Sequence, residues 1–410
     1  MIEHRNSEDI ERVKRKNLLA LFFINLIHGT GFGMFNVIFQ PFILDLTGSI
    51  MITGILVTVG AIIQFLPMPL VGKLSDRFGR KKLMLSSMPF YVFGLILLTI
   101  SNSITLIFLV TGMLLFFFGT ILNNLSSLIL VSENSNKSKG LMYGLILFSF
   151  FGGTILGSFF VLIGAAFDTR FFFLIFIGIL IAEWFITLIF ISEKYQLDKS
   201  PKITSIKPNE LDQGIWKKLF KNPKSRAILI FFTLDLFVYN IALSIYSGGL
   251  KDFYLITREE LALITIVFNT SNMIFQIPGG HIADKIGTKK SLILSQFFGL
   301  IFFAINILAY FMWAGGSTEL LFPALLISHI PFAMSVCTFI PSEQISLTSL
   351  DETRKAESYG IVGFMRGIGF IPTGFIGGFL VESVHYVAPL IISFFGIFFE
   401  IWYLSKYFHD

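Results

Sequence analysis

Twelve runs of mostly apolar residues organise the chain, each long enough to approach the roughly 20 residues that a helix needs to cross a hydrocarbon core. They predict spans at 18–42, 51–72, 83–101, 104–131, 140–164, 171–191, 227–249, 261–281, 290–312, 319–345, 358–381 and 386–405. The first run exceeds the roughly 7–15 apolar residues of a cleaved leader, and no small-residue cleavage pattern follows it, so it is expected to remain as a helix. Polar stretches set the divisions: a tail at 1–17, a long linker at 192–226 and a short tail at 406–410. The expected architecture is an all-α polytopic membrane protein, with twelve transmembrane helices in two six-helix bundles at 18–191 and 227–405. Within the linker, residues 208–221 place Ile215, Trp216, Leu219 and Phe220 so that a short amphipathic helix could lie on the membrane surface.

Composition narrows the class. Of 410 residues, 54% are hydrophobic and only 14% charged, against about 45–50% and 25% in soluble proteins. The single Cys337 excludes an internal disulfide, a four-thiolate zinc site and a two-cysteine redox motif. Although the net charge is +5, the cations sit in short loops, so nucleic acid is not an expected partner. With the N-terminus inside, 27 of the 31 Lys and Arg residues fall on the inner side, Arg170, Lys251 and Arg258 on the outer side, and Arg366 inside a span. That bias predicts cytoplasmic termini, with the plasma membrane as the expected location. No phosphate-binding loop, metal-spaced histidine pair or nucleophile elbow occurs in the sequence, so no cofactor, metal or enzymatic activity is expected, and ATP-driven pumping is not supported.

The halves repeat. Phe22-Phe23 matches Phe231-Phe232, Gly72 and Asp76 match Gly280 and Asp284, Ser132-Glu133 matches Ser342-Glu343, and Tyr143-Gly144 matches Tyr359-Gly360. These pairs are separated by 208–216 residues and fall in order, which indicates duplication of a six-helix unit.

After span 2 the chain reads GKLSDRFGRKK, with Gly72, Asp76, Arg77, Gly79 and Arg80; after span 8 it reads GGHIADKIGTKK, with Gly280 and Asp284 retained and Thr288 in the place of Arg80. This pattern, its copy and the twelve spans resemble the major facilitator superfamily over essentially the whole chain. Asp76 and Arg80, four residues apart, can pair on a helix, and an acidic residue adds nothing to a topogenic signal. The resemblance implies that they belong to a gate bracing the bundles, with Glu133 as a further partner of Arg80; Thr288 implies a weaker latch in the second half. Gly144, Gly153 and Gly157 in span 5 resemble a glycine motif associated with antiporters, with Ser158 replacing its proline, while helix packing through small residues reads equally from the spacing.

Ionisable residues inside spans are expensive and are functional candidates by default. Asp235 in span 7 and Arg366 in span 11 lie at equal depth near the midplane, which makes a charge pair possible, functional or purely structural, without deciding whether they pair. His28 and His329 are near mid-depth. Glu183, beside Trp184 in a span that the resemblance makes peripheral, is a weaker candidate, and Glu400 is expected to snorkel. Asn269, Asn272 and Gln276 share one face of span 8, His28 and Asn36 one face of span 1, and Asp235 and Tyr239 one face of span 7, with Asn123 in span 4. These stripes are expected to face a wet cavity, and the resemblance implies that such spans enclose the substrate. The leading expectation is a secondary transporter moving a small organic solute by alternating access, with the lipid bilayer and that solute as partners and a monomeric state. Proton coupling, drug efflux by antiport and uncoupled facilitation remain open, as does a non-transporting receptor of the same fold.

Overall fold

The computed structural model describes residues 2–135, 139–164, 166–193, 219–348 and 355–408. Among them, twelve helices are long and apolar enough to cross a membrane: Asp9–Thr47, Ile50–Ser75, Arg80–Ile100, Leu106–Asn134, Met142–Ile163, Thr169–Phe190, Pro223–Tyr254, Arg258–Ile286, Thr288–Ala314, Thr318–Leu347, Gly360–Ser383 and Ala388–Tyr407. They are numbered spans 1–12. An even number of crossings leaves both termini at one end of the bundle, here called the terminal end; the opposite end is the far end. Most of the linker, including the 208–218 portion of the expected amphipathic helix, lies outside the described residues.

Local chemistry explains the helix boundaries. Span 8 begins with a capping box, in which the Thr257 hydroxyl accepts the Glu260 N–H at 3.2 Å and the Glu260 carboxylate accepts the Thr257 N–H at 2.8 Å. The turns after spans 2 and 8 each pivot on a glycine in positive φ, Gly79 at 93° and Gly287 at 85°, a conformation costly for any residue with a Cβ. The repeat is therefore structural as well as sequential. Three spans are broken in mid-course. Span 2 stops at Phe65 and restarts at Met68, span 7 breaks between Leu243 and Tyr246, and span 11 between Phe370 and Thr373.

Spans 1–6 pack as one bundle, with span 1 on spans 5 and 6 and span 3 on spans 4 and 6; spans 7–12 pack likewise, with span 9 on spans 10 and 12 and span 7 on spans 11 and 12. The bundles meet along span 2 against span 11 and span 5 against span 8. Adding six to each member of the first contact and counting around the twelve gives the second, so the two interfaces are equivalent under the repeat. Small residues make the close approaches possible. A Cβ on Gly153 would come within 2.0 Å of the Leu26 carbonyl oxygen in span 1, and one on Gly374 within 2.3 Å of the Gly54 carbonyl oxygen across the interface. Gly153 and Gly157 of the span 5 motif are thus occupied in packing against span 1, whereas a Cβ on Gly144 would meet open space.

Burial is unequal along the length. In the far half one apolar cluster runs through both bundles, joining Phe35, Phe42 and Phe116 to Tyr246, Leu250 and Tyr386. Toward the terminal end it gives way to separate clusters: Phe231, Phe232 and Leu404 in the second bundle, and Leu21 with Leu130, and Val71 with Leu125, in the first. Spans 2 and 11 nevertheless remain in contact down to Pro69 and Gly360.

Candidate functional site

At the far end the bundles are tied by side chains of one that satisfy broken backbone of the other. Helix ends leave N–H and C=O groups without intrahelical partners. The Gln40 amide of span 1 donates to the Ser244 carbonyl at 2.9 Å and accepts the Gly248 N–H at 3.0 Å, closing the break in span 7. Thr58 of span 2 accepts the Phe375 N–H at 2.9 Å, just after span 11 restarts. Reciprocally, Glu382 of span 11 accepts the Ser49 hydroxyl at 2.6 Å and the Met51 N–H at 2.8 Å, capping the start of span 2. An Asp45–Lys251 ion pair and an Arg258 hydrogen bond to the Phe167 carbonyl at 3.0 Å also cross. A surface recess of about 410 Å³ opens beside them, lined by Ile38, Thr169, Leu255 and Glu259 among others.

One turn nearer the terminal end from the Gln40–Ser244 contact lie Asn36, exposed, and Asn240, half-buried. They share the helix faces of Gln40 and Ser244, which meet across the bundles, and the Asn240 amide donates to the Leu236 carbonyl of its own helix at 2.9 Å. Gln40, Thr58, Asn240 and Glu382 were not marked by sequence pattern, because only the breaks they serve distinguish them from ordinary packing amides, hydroxyls and loop acids.

The motif after span 2 closes a latch inside the first bundle. Arg80 binds Glu133 of span 4 at 2.8 Å and the Ser75 carbonyl, and its own N–H is accepted by Glu193 beyond span 6. The expected Arg80–Glu133 contact is therefore present. Gly72 is buried, Arg77 is exposed and lies over the Phe78 ring, and the Asp76 side chain lies outside the described residues. In the second copy Asp284 is exposed, and a Cβ on Gly280 would meet open space.

The question left open by equal depth is answered by separate partners for the midplane charges Asp235 and Arg366. Arg366 is engaged by Glu343 of span 10. Asp235 accepts the Gln296 amide of span 9 at 2.9 Å, and Gln296 in turn accepts the Tyr239 hydroxyl at 3.0 Å. Equal depth did not imply a shared direction, since the two side chains leave their helices toward different neighbours. The span 8 stripe is corrected as well: Asn269, Asn272 and Gln276 are buried, and the latter two meet the Cys337 thiol of span 10 at 3.4 Å rather than a wet face. Asn123 is likewise turned into its own bundle. His329 hydrogen-bonds the Leu325 carbonyl at 2.8 Å among the rings of Tyr246, Phe268, Phe302 and Phe332.

Two acids gain weight. Glu183, fully buried, receives His28 Nδ1 at 2.8 Å and the Asn123 amide at 3.2 Å. Glu400 does not snorkel: it is also fully buried, and neither of its oxygens has a partner. The repeat could have revealed them, because they stand 217 residues apart, close to the spacing of the other repeated pairs.

These features accord with known proteins. A sequence profile of the Major Facilitator Superfamily matches residues 21–253 and again 227–410, and the chain belongs to that superfamily. It is an integral membrane protein whose described residues include twelve helices of membrane-crossing length. The quinolone resistance protein NorA of Staphylococcus aureus is 31% identical over 160 residues, 38% of either chain. The multidrug resistance protein MdtG of Escherichia coli is 27% identical over 261 residues, 61% of this chain and 60% of that one. Each match thus spans less than two thirds of the relative's length. Among solved structures, the nucleoside transporter NupG superposes with a TM-score of 0.70 at 15% identity, covering 96% of this chain and 99% of that one. The human organic anion transporter MFSD10 does so at 0.68 and 15%, covering 95% and 99%. At that identity the likeness is one of fold.

Proposed function

We propose that this transporter exports small, partly apolar organic compounds by alternating access, with its termini and linker on the cytoplasmic side. The observation that carries the reading is the unequal closure. The two bundles share one apolar core and several cross-bundle caps at the far end, yet have separate cores toward the terminal end. That is the arrangement of a carrier closed outward, with its solute path directed inward, and two packed bundles related by a repeat allow the opposite state by rocking. Asn36, Asn240 and Arg366 are the polar groups proposed to meet the solute; the Lys and Arg distribution supports the orientation. The names of NorA and MdtG support drug-like cargo. Proton exchange is the proposed driving force, because deep titratable groups are present in both bundles while no nucleotide-binding motif is.

The test is flux in sealed vesicles. Proteoliposomes holding the purified protein should move a quinolone or ethidium faster than empty liposomes, and an imposed pH gradient should accelerate the movement. Flux equal to that of empty vesicles across a panel of such compounds would favour a receptor built on the same fold. Flux insensitive to pH would leave an uncoupled facilitator.

A further inference from the structure

The first bundle shows what a matched buried acid looks like. Glu183 on span 6 faces a histidine from span 1 and an amide from span 4, so both of its oxygens are engaged. Glu400 occupies the corresponding place on span 12. It packs where spans 7 and 9 meet span 12, with no exposure and no hydrogen-bond donor on either oxygen. The residue in the place of His28 is not a base: span 7 instead offers Asp235, about one turn from Val238, whose side chain meets Gly396 and whose carbonyl accepts the Ser393 hydroxyl at 2.7 Å, so that Asp235 and Glu400, one turn from Gly396, lie at the same level of the packed pair. Around this second acid, Tyr239 already donates to Gln296 and Gln296 to Asp235. Arg366 from span 11 is held by Glu343 from span 10, and Lys289 of span 9 is directed to the Ser405 carbonyl. Tyr403 on span 12 lies three residues from Glu400, and Arg226 on span 7 nine residues from Asp235, toward the terminal end. A buried carboxylate with neither a cation nor donors is not stable as an ion, and two neighbouring carboxyl groups in one site share protons instead.

We propose that the Asp235–Glu400 pair is an exchangeable proton site, set inside the second bundle between spans 7, 9 and 12 and apart from the gap where the solute passes. In the state seen here Arg366 is committed to Glu343, and one proton is held between the two acids. Movement of Arg366 from Glu343 toward Asp235, whose neighbour Thr233 donates to the carbonyl of the adjoining Met365 at 3.2 Å, supplies the missing positive charge. The proton then leaves Glu400 for water, forming a carboxylate and hydronium. The proposal deepens the transporter reading by naming a coupling site. It rests on that reading only for its role, since proton binding is measurable without any solute.

The experiment is infrared difference spectroscopy of the full-length protein in nanodiscs, titrated with no organic solute present. A protonated-carboxyl band should be seen and should fade as pH rises. Glu400→Gln should remove it, Asp235→Asn should change the range over which it fades, and Glu183→Gln should leave the titration intact. Persistence of an unchanged band in Glu400→Gln would overturn the proposal; so would a band that follows sodium, when choline replaces it at fixed pH, since the site would then bind a metal cation. If Glu400→Gln does not fold, the wild-type titration and Asp235→Asn decide, and an absent band or an unaltered range overturns the assignment. Vesicle flux of ethidium is read separately, so failure of the proton site and failure of transport remain distinct.

Discussion

The two bundles keep the same acid at the end of their fourth helix and pair it with different cations. In the first, Glu133 is latched by Arg80 from the turn after span 2. In the second, Thr288 stands where Arg80 would be, and Glu343 turns to Arg366 of span 11, whose counterpart in the first bundle is Phe150. The Glu133 side chain is 31% exposed and that of Glu343 only 5%. Divergence after duplication thus moved a charge latch from a peripheral turn into the body of the protein. The sixth helices diverge in parallel: Glu183 is matched by His28, while Glu400 is not matched.

The largest expected effect breaks that second contrast. His28→Ala leaves the buried Glu183 carboxylate with the Asn123 amide but without the imidazole, and should destabilise by about 3 kcal/mol, measured by thermal unfolding in detergent. Glu400→Leu removes an acid whose oxygens have no partners, and should be neutral or stabilising by up to about 2 kcal/mol. A similar loss in both variants would erase the distinction between the bundles. Next, Arg366→Ala should cost about 3 kcal/mol, because it strands the buried Glu343, whereas Arg80→Ala should cost about 1 kcal/mol, because Glu133 reaches water. Reversed magnitudes would show that the peripheral latch is the stronger one.

Smaller effects are expected at the closure. Thr58→Ala removes a helix cap worth about 1 kcal/mol, and does so only in the state closed at the far end. In a Cys337→Ser background, a cysteine introduced at Asn36 should therefore label faster from the outside when Thr58 is replaced; unchanged labelling would show that the cap does not hold the gate. The smallest change is Thr288→Arg, expected to shift stability by less than about 1 kcal/mol on its own. Combined with Arg366→Gln, it should recover part of the stability lost in Arg366→Gln. Strict additivity of the two changes would mean that Glu343 cannot be reached from the turn.

Twelve spans were legible because crossing a bilayer requires only length and apolar composition. Their breaks were not. Pro67 and Pro372 stand at interruptions, yet Pro41, Pro89, Pro278, Pro331 and Pro341 lie within continuous helices. Whether a proline ends a helix depends on which group satisfies the freed backbone, and at the far end those groups come from the other bundle. Depth could likewise be counted along the chain, so Asp235, Arg366 and His28 stood out as buried candidates. Direction could not. The span 8 amides share a face, but that face meets Cys337 of span 10, and Asn123 differs from exposed Asn124 by one step of about 100° around the helix.

The contact between Gly54 and Gly374 has a mechanical consequence. Backbone meets backbone there, with only the small Thr58 hydroxyl beside it, so the joint is stiff in compression, as a fulcrum must be. It lies near one end of helices that extend about 30 Å beyond it. A tilt of about 10° at the joint would displace the opposite tips by about 5 Å over that lever arm, wide enough to admit a flat aromatic molecule. A single methyl group at either glycine would wedge the bearing and stiffen the stroke at its origin.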